Sequence, residues 1–325
     1  MELSQMRKVI IDITPPFLRN ALIKYKSRNA YPELNFKYWQ QEKKNFEHEL
    51  EMMIDSYLAS DDFNQTTKYW RYLLRQNLES IREFGVENYG QHAAKNYFTF
   101  TDFSDDTIKN LVHTAGAIGN LEILKKHEGF SISESIKHNV LIQLLLNTVL
   151  ENRKSVEYLQ KISSSGFAYG NHPKLESRFG SVTLDMLSSI LEIESVFSTI
   201  GESSVQKILE IGAGSGRLAN AILEVKPDAK FVIADIPPAS YVAMSRLRYT
   251  YPEKKIYFVY DAAKLKEYLH NPNSWDILFL LPNLLPYFPV KYFDIMLAVD
   301  CLHEMNEKMR HFYAGIATLK SHFYY

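Results

Sequence analysis

The chain has 325 residues, a length that suggests about two domains. It is 46% hydrophobic and 23% charged, the profile of a globular protein with a sizeable core. Lys and Arg number 37 against 38 Asp and Glu, so no long-range field draws the chain toward nucleic acid or an anionic membrane. The lone cysteine, Cys301, excludes an intrachain disulfide and fits a reducing compartment. Near the N-terminus, the apolar stretch Val9 to Ile13 contains Asp12 and ends at Pro15-Pro16. It is too short to span a membrane and makes a poor signal peptide, so the expected location is cytoplasmic.

Residues 1–165 read mostly as helix. Phe46, Leu50, Met53, Ile54, Tyr57 and Leu58 share one face of a 3.6-residue period. Trp70, Leu73, Leu74, Leu78, Ile81 and Phe84 share another, and Gly85 follows where a C-cap glycine belongs. A third helix is predicted from Ser133 to Leu150. Residues 163–181 are rich in Gly, Ser, Asn and Pro and read as a loop or interdomain linker. A further helix is predicted from Thr183 to Ser198, capped by Thr183 or Ser181. Residues 166–204 thus connect a helical N-terminal region, a substrate cover or dimerisation element, to a third region over 205–325.

From Val205 strands and helices alternate. Strands are predicted at Lys207–Ile211, Lys230–Ala234, Lys255–Tyr260, Asp276–Leu281 and Phe293–Val299. Helices are predicted at Gly216–Val225, Ala239–Thr250 and Glu304–Leu319. Short apolar strands separated by helices imply an α/β fold with a parallel, doubly wound sheet.

The first of these strands ends in Gly212-Ala-Gly-Ser-Gly216, and a helix follows. Glycines allow a tight turn and let a ligand approach the backbone, and the helix start offers free amide donors. A dinucleotide fingerprint needs a small residue where Arg217 stands. The glycines instead fall as Gly-x-Gly-x-Gly, with Glu210 two residues ahead, similar to motif I of class I methyltransferases. Glu210, Gly212, Ala213, Gly214 and Gly216 are therefore candidate ligands of S-adenosylmethionine. Asp235 and Ile236 follow the second strand, where a carboxylate is placed to accept the ribose hydroxyls. Asn283 is preferred over Asp261 for the adenine, since an amide pairs with its amino group and ring nitrogen.

The strand from Phe293 runs into Asp300-Cys-Leu-His-Glu-Met305. Ligands of open α/β sheets sit beyond the carboxyl ends of strands, so Asp300, His303 and Glu304 project toward the expected methyl group. An alcohol is a poor nucleophile at neutral pH and needs a base. His303 has the ordinary pKa for that role, with Glu304 to orient it, while Asp300 touches cofactor. No metal-ligand spacing stands out.

These segments resemble the bacterial sugar O-methyltransferase family of polysaccharide and lipopolysaccharide gene clusters. The resemblance spans about residues 65–325: Tyr69-Trp70 with its helix, Gly170-Asn-His-Pro173, Gly180-Ser-Val-Thr-Leu-Asp185, Ile208–Ala219, Ala234-Asp-Ile-Pro-Pro238 and Glu304-Met305. It departs from the family at His172, an insertion in Gly-Asn-Pro, and at the exit of the fourth strand. The resemblance implies a class I, Rossmann-like methyltransferase fold that methylates a hydroxyl of a sugar, nucleotide sugar or glycan. It also implies that the helical region and the Gly170–Pro173 loop cover the acceptor, with Asn171, His172 and Arg178 on the substrate side. A homodimer is a further possibility.

The stretch from Val205 to Tyr325 is short for a seven-stranded class I core, which predicts a C-terminally incomplete sheet whose fifth strand begins near Ser321. Two rivals stand beside the sugar methyltransferase: the same cofactor with a non-sugar acceptor, and a degenerate methyltransferase fold that only binds a partner.

Overall fold

The computed structural model describes residues 32–90, 109–110, 112–113, 121–127, 132–162 and 167–325; part of the predicted loop, 163–166, lies outside them. The N-terminal helices are α1 (Phe36–Glu42), α2 (His48–Ala59), α3 (Asp61–Gln65), α4 (Lys68–Phe84), α5 (Ile132–Glu151) and α6 (Arg153–Lys161). Leu50, Met53, Ile54 and Tyr57 of α2 and Leu74 and Leu78 of α4 are buried, as their spacing requires. Thr67 caps α4 by accepting from the Trp70 N–H, and Gly85 ends it with φ 80°. Phe84 is exposed despite falling on a predicted apolar face.

Part of the predicted linker is a hairpin instead. β1 (Lys174–Ser177) pairs antiparallel with β2 (Gly180–Thr183), the turn falling at Arg178-Phe179. The Ser177 hydroxyl donates to the Gly180 carbonyl and accepts from the Phe179 N–H. Strands of four residues are too short to declare a period of two. Thr183 then caps α7 (Leu184–Ile200) by accepting from the Met186 N–H.

The remaining elements are β3 (Lys207–Ile211), α8 (Arg217–Val225), β4 (Lys230–Ala234), α9 (Ala239–Thr250), β5 (Ile256–Val259), α10 (Ala262–His270), β6 (Ile277–Leu280), β7 (Phe293–Leu297), α11 (Glu307–Lys320) and β8 (Ser321–Tyr324). Six parallel strands lie in the order β5-β6-β4-β3-β7-β8. The fold is α/β and Rossmann-like, with a helical N-terminal region. Both rivals for the third strand are strands: β6 lies beside β4, and β5 lies outside it. Asp261 caps the unanticipated α10 by accepting from the Lys264 N–H. The last helix begins three residues later than expected, because Asn306 caps it and 302–304 form a 3-10 turn.

Successive strand residues face opposite sides, and both sides are covered. Ile208, Phe231, Ile233, Phe279 and Ile295 pack into one apolar core that also takes in Trp39, Met53 and Leu78 of the N-terminal helices. Leu209, Ile211, Val232, Leu278, Leu280 and Met296 pack on the other side with Tyr313 and Trp275. Burial on both faces leaves the carboxyl ends of the strands as the place where a ligand meets polar groups. No described helix is long and apolar enough to cross a membrane.

The β3–α8 turn holds Gly212, Gly214 and Gly216 at φ 64°, 58° and 73°, a region L side chains rarely enter. A Cβ on Gly216 would lie 3.0 Å from the Ala243 Cβ in α9. Gly216→Ala should therefore cost about 1–3 kcal/mol, from the left-handed backbone and from crowding α9. Urea unfolding at fixed pH checks this; an unchanged midpoint and slope would show that α9 does not rest on this turn.

Candidate active site

A cavity of about 440 Å³ opens at the carboxyl ends of the strands. The β3 exit supplies Glu210, Gly212, Ala213, Gly214 and Ser215 to its wall; the β4 exit supplies Asp235 and Ile236. The β7 exit supplies Asp300, Cys301, Glu304 and Met305, and α11 adds Met309 and Tyr313. The N-terminal helices roof it with Asp62, Gln65, Thr66, Thr67 and Trp70, and His172, Asp185 and Glu192 close a side.

The glycines divide their tasks. Cβ atoms on Gly212 and Gly216 would meet Cys301 and Ala243, so these two serve close packing. Gly216 is absent from the wall, which corrects its expected role as a ligand. A Cβ on Gly214 would meet nothing within 4 Å, so that face is open toward the cavity. The Gly214 N–H donates to Asp235 Oδ2 at 2.9 Å, and the Ile236 N–H donates to Oδ1 at 2.7 Å. Asp235 thereby clasps the ends of β3 and β4 while lining the cavity.

Burial dominates the electrostatics. Glu210 is only 4% exposed, and its Oε2 has no hydrogen-bond partner. Burial pushes its pKa up to about 8 against the attraction of Arg217. Burial likewise raises Asp235 to about 6, against the two backbone N–H groups it accepts from. Asp62 is raised to about 6, again by burial, opposed by the Asn283 N–H. Burial alone would raise Asp185, but His172, Arg246 and Arg217 outweigh it and hold the group ionised. His172 is lowered by burial, against the pull of Asp185, and is neutral near pH 7.

A buried polar knot underlies the turn. Arg246 of α9 reaches Asp185 at 3.3 Å and the Ser215 hydroxyl at 3.1 Å, and His172 Nε2 lies 3.6 Å from Asp185. Arg217 is bound through both terminal nitrogens to Glu192, each at 2.7 Å, and also donates to Ser189.

Several expected residues lie elsewhere. His303 is 60% exposed and outside the wall, because the 3-10 turn carries it into solvent 3.7 Å from Glu304. Asn283 is exposed, and its neighbour Pro282 lines the cavity instead. Asn171 is exposed at φ 54°, and Arg178 sits in the hairpin turn with its guanidinium 4.9 Å above the Phe179 ring. Neither lines the cavity. His172 does, and its side chain is 8% exposed. Asp62, Asp185 and Glu192 were missed, because a carboxylate on a helix reads as a solvated face without the fold. Among the described residues no group of three or more His, Cys, Asp or Glu is placed to hold a metal.

No family model and no curated protein matches the chain. Among solved structures, it is similar to coclaurine N-methyltransferase bound to N-methylheliamine and SAH, at 13% identity and TM-score 0.28, over 66% of this chain and 55% of that one. The pyocyanin biosynthetic protein PhzM matches at 17% identity and TM-score 0.28, covering 72% of this chain and 67% of that one. The mitomycin 7-O-methyltransferase MmcR matches at 14% identity and TM-score 0.23, covering 68% and 75%. The chain thus spans little more than half the length of the first of these, and at such scores the fold rests on the sheet order itself.

Proposed function

We propose that this chain is an S-adenosylmethionine-dependent methyltransferase for a small-molecule hydroxyl, with the sugar or sugar conjugate implied by the sequence resemblance as the acceptor. One observation carries the reading: a buried, partnerless carboxyl oxygen on Glu210 and the open face of Gly214 meet Asp235 in one cavity. The partnerless oxygen suits a cation, the open glycine suits close approach of an amino-acid tail, and Asp235 suits ribose hydroxyls. When bound, S-adenosylmethionine supplies an electrophilic methyl group on a sulfonium. Ala213 lines the cavity beside the glycine turn, and Asp300 stands at the exit of β7.

An alcohol must lose its proton during transfer. His172 replaces His303 in that role, since it is the neutral imidazole in the cavity wall and Asp185 orients it. Glu304, with 14% of its side chain exposed, is a second acceptor at the β7 exit.

Calorimetry with S-adenosylmethionine should give micromolar binding, weakened at least ~10-fold in Gly214→Val and Asp235→Ala as contacts are lost. Well-folded protein that does not bind would remove the enzyme reading and leave a partner-binding protein.

Binding also has a proton signature. At pH 7 Glu210, near 8, is largely protonated, whereas Asp235, near 6, is largely ionised. A cation placed against Glu210 favours its charged form, so binding should release about one proton. Titration in buffers of different ionisation enthalpy reads this directly. Release should vanish in Glu210→Gln, and proton uptake by the wild type would contradict the assignment.

Turnover depends on His172 in its neutral form. Its pKa is lowered from 6.5, so activity should rise with pH along an acid limb whose midpoint lies below that value. His172→Asn should lower kcat about 100-fold or more with cofactor affinity unchanged. Undiminished turnover, with the acid limb in place, would shift the role to Glu304.

A further inference from the structure

We infer that Asp62, a carboxylate from the N-terminal helical layer, reads the amino group of the adenine ring; this rests on the methyltransferase reading above. The strand ends follow the order β6, β4, β3, β7 along the cavity. The glycine turn leaves β3 and Asp235 leaves β4. A nucleoside whose tail lies at β3 and whose sugar lies at Asp235 carries its base onward to the end of β6.

Among the described residues, the segment following β6 contributes only Pro282 to the wall, with Asn283 exposed. That segment brings no side-chain acceptor to the base. Asp62 stands there in its place, 7% exposed, with Oδ2 accepting from the Asn283 N–H at 3.1 Å. A carboxylate has about four lone-pair sites, so one bond leaves acceptor capacity for a ring amino group. Ile236 and Pro282 supply apolar surface for the ring faces. Asn306 Nδ2 donates to the Gln65 carbonyl, fixing α3 to the start of α11. Asp62 is therefore held from both sides and does not hang from a loose loop.

The same order of strand ends argues against Asp62 as the base for the acceptor. The methyl group must lie toward β3 and β7, where Asp300 and Glu304 are, at the opposite end from β6.

The test uses two ligands without a sulfonium, S-adenosylhomocysteine and S-inosylhomocysteine, which differ at ring carbon 6 and at N1. At carbon 6 the first presents an amino donor and the second a carbonyl acceptor; N1 is bare in the first and carries a hydrogen in the second, so the N6,N6-dimethyl analogue below isolates the amino group. The full-length wild type should prefer the adenosyl ligand at least ~10-fold, since mismatched buried hydrogen-bonding groups carry large penalties. Asp62→Asn, whose amide can donate, should collapse or invert that ratio, with thermal melting reporting that the fold is intact. Should the variant not fold, the wild type alone decides: an N6,N6-dimethyladenosyl analogue, lacking an N–H, must bind at least ~10-fold more weakly than the adenosyl ligand. An unchanged ratio in folded Asp62→Asn, or equal binding of the dimethyl analogue, overturns the inference alone. Failure of the wild type to bind either homocysteine ligand overturns the methyltransferase reading and this inference with it.

Discussion

Ionisable groups taken out of water at one end of an apolar sheet set the terms for everything around them. Glu210, Asp235, Asp62 and Asp185 are all less than a tenth exposed. Burying a charge without compensation is costly enough that the group shifts its pKa instead. Asp185 meets cations in Arg246 and Arg217, and its acidity is strengthened. Asp235 and Asp62 meet only backbone N–H donors and are weakened to about 6. Glu210 keeps an oxygen with no partner at all and is weakened furthest, to about 8. The cavity they line is a site whose charges are partly unmatched until something positive or hydrogen-donating enters.

The fold makes this gradient unavoidable. Strands covered on both faces must be apolar along their length, so polar residues are confined to their exits. Left-handed glycines then allow β3 to turn sharply into α8, and packing on Cys301 and Ala243 fixes two of the three. Arg246 reaches under the turn from α9 to Asp185 of α7, so two helices and the β3–α8 turn share a single buried network. The N-terminal helices complete the enclosure, since they share an apolar core with one face of the sheet.

Legibility follows how sharply an element is bounded. β3 and β4 are short unbroken apolar runs, β3 ends in the glycine turn, and α9 lies between Pro237-Pro238 and Pro252. The hairpin at 174–183 and α10 were missed, the first for shortness and the second because Asp261 was weighed as an adenine ligand when it is a helix cap. Glu210, Gly214 and Asp235, which the motif singles out in sequence, all line the cavity. His303 was misplaced because helix α11 starts after Asn306, so a residue assigned to a helix start belongs to an exposed 3-10 turn. Asp62 could not be read at all: its meaning comes from the Asn283 amide, contacted across 221 positions of chain.

Arg217 bears on which nucleotide such a site accepts. A guanidinium at the start of a helix beneath a glycine turn would ordinarily favour phosphate, as the helix N-terminus itself does. Here both of its terminal nitrogens are engaged by Glu192, which also lines the cavity. With Glu192 pairing that cation, the remaining carboxyl groups leave an environment hostile to a pyrophosphate bridge. A ligand with a cationic centre and a free ribose meets the opposite situation, since the cation answers the partnerless oxygen of Glu210 and the ribose hydroxyls answer Asp235. The same glycine-turn architecture that cradles dinucleotides elsewhere is thus biased against them here by the side chains around it.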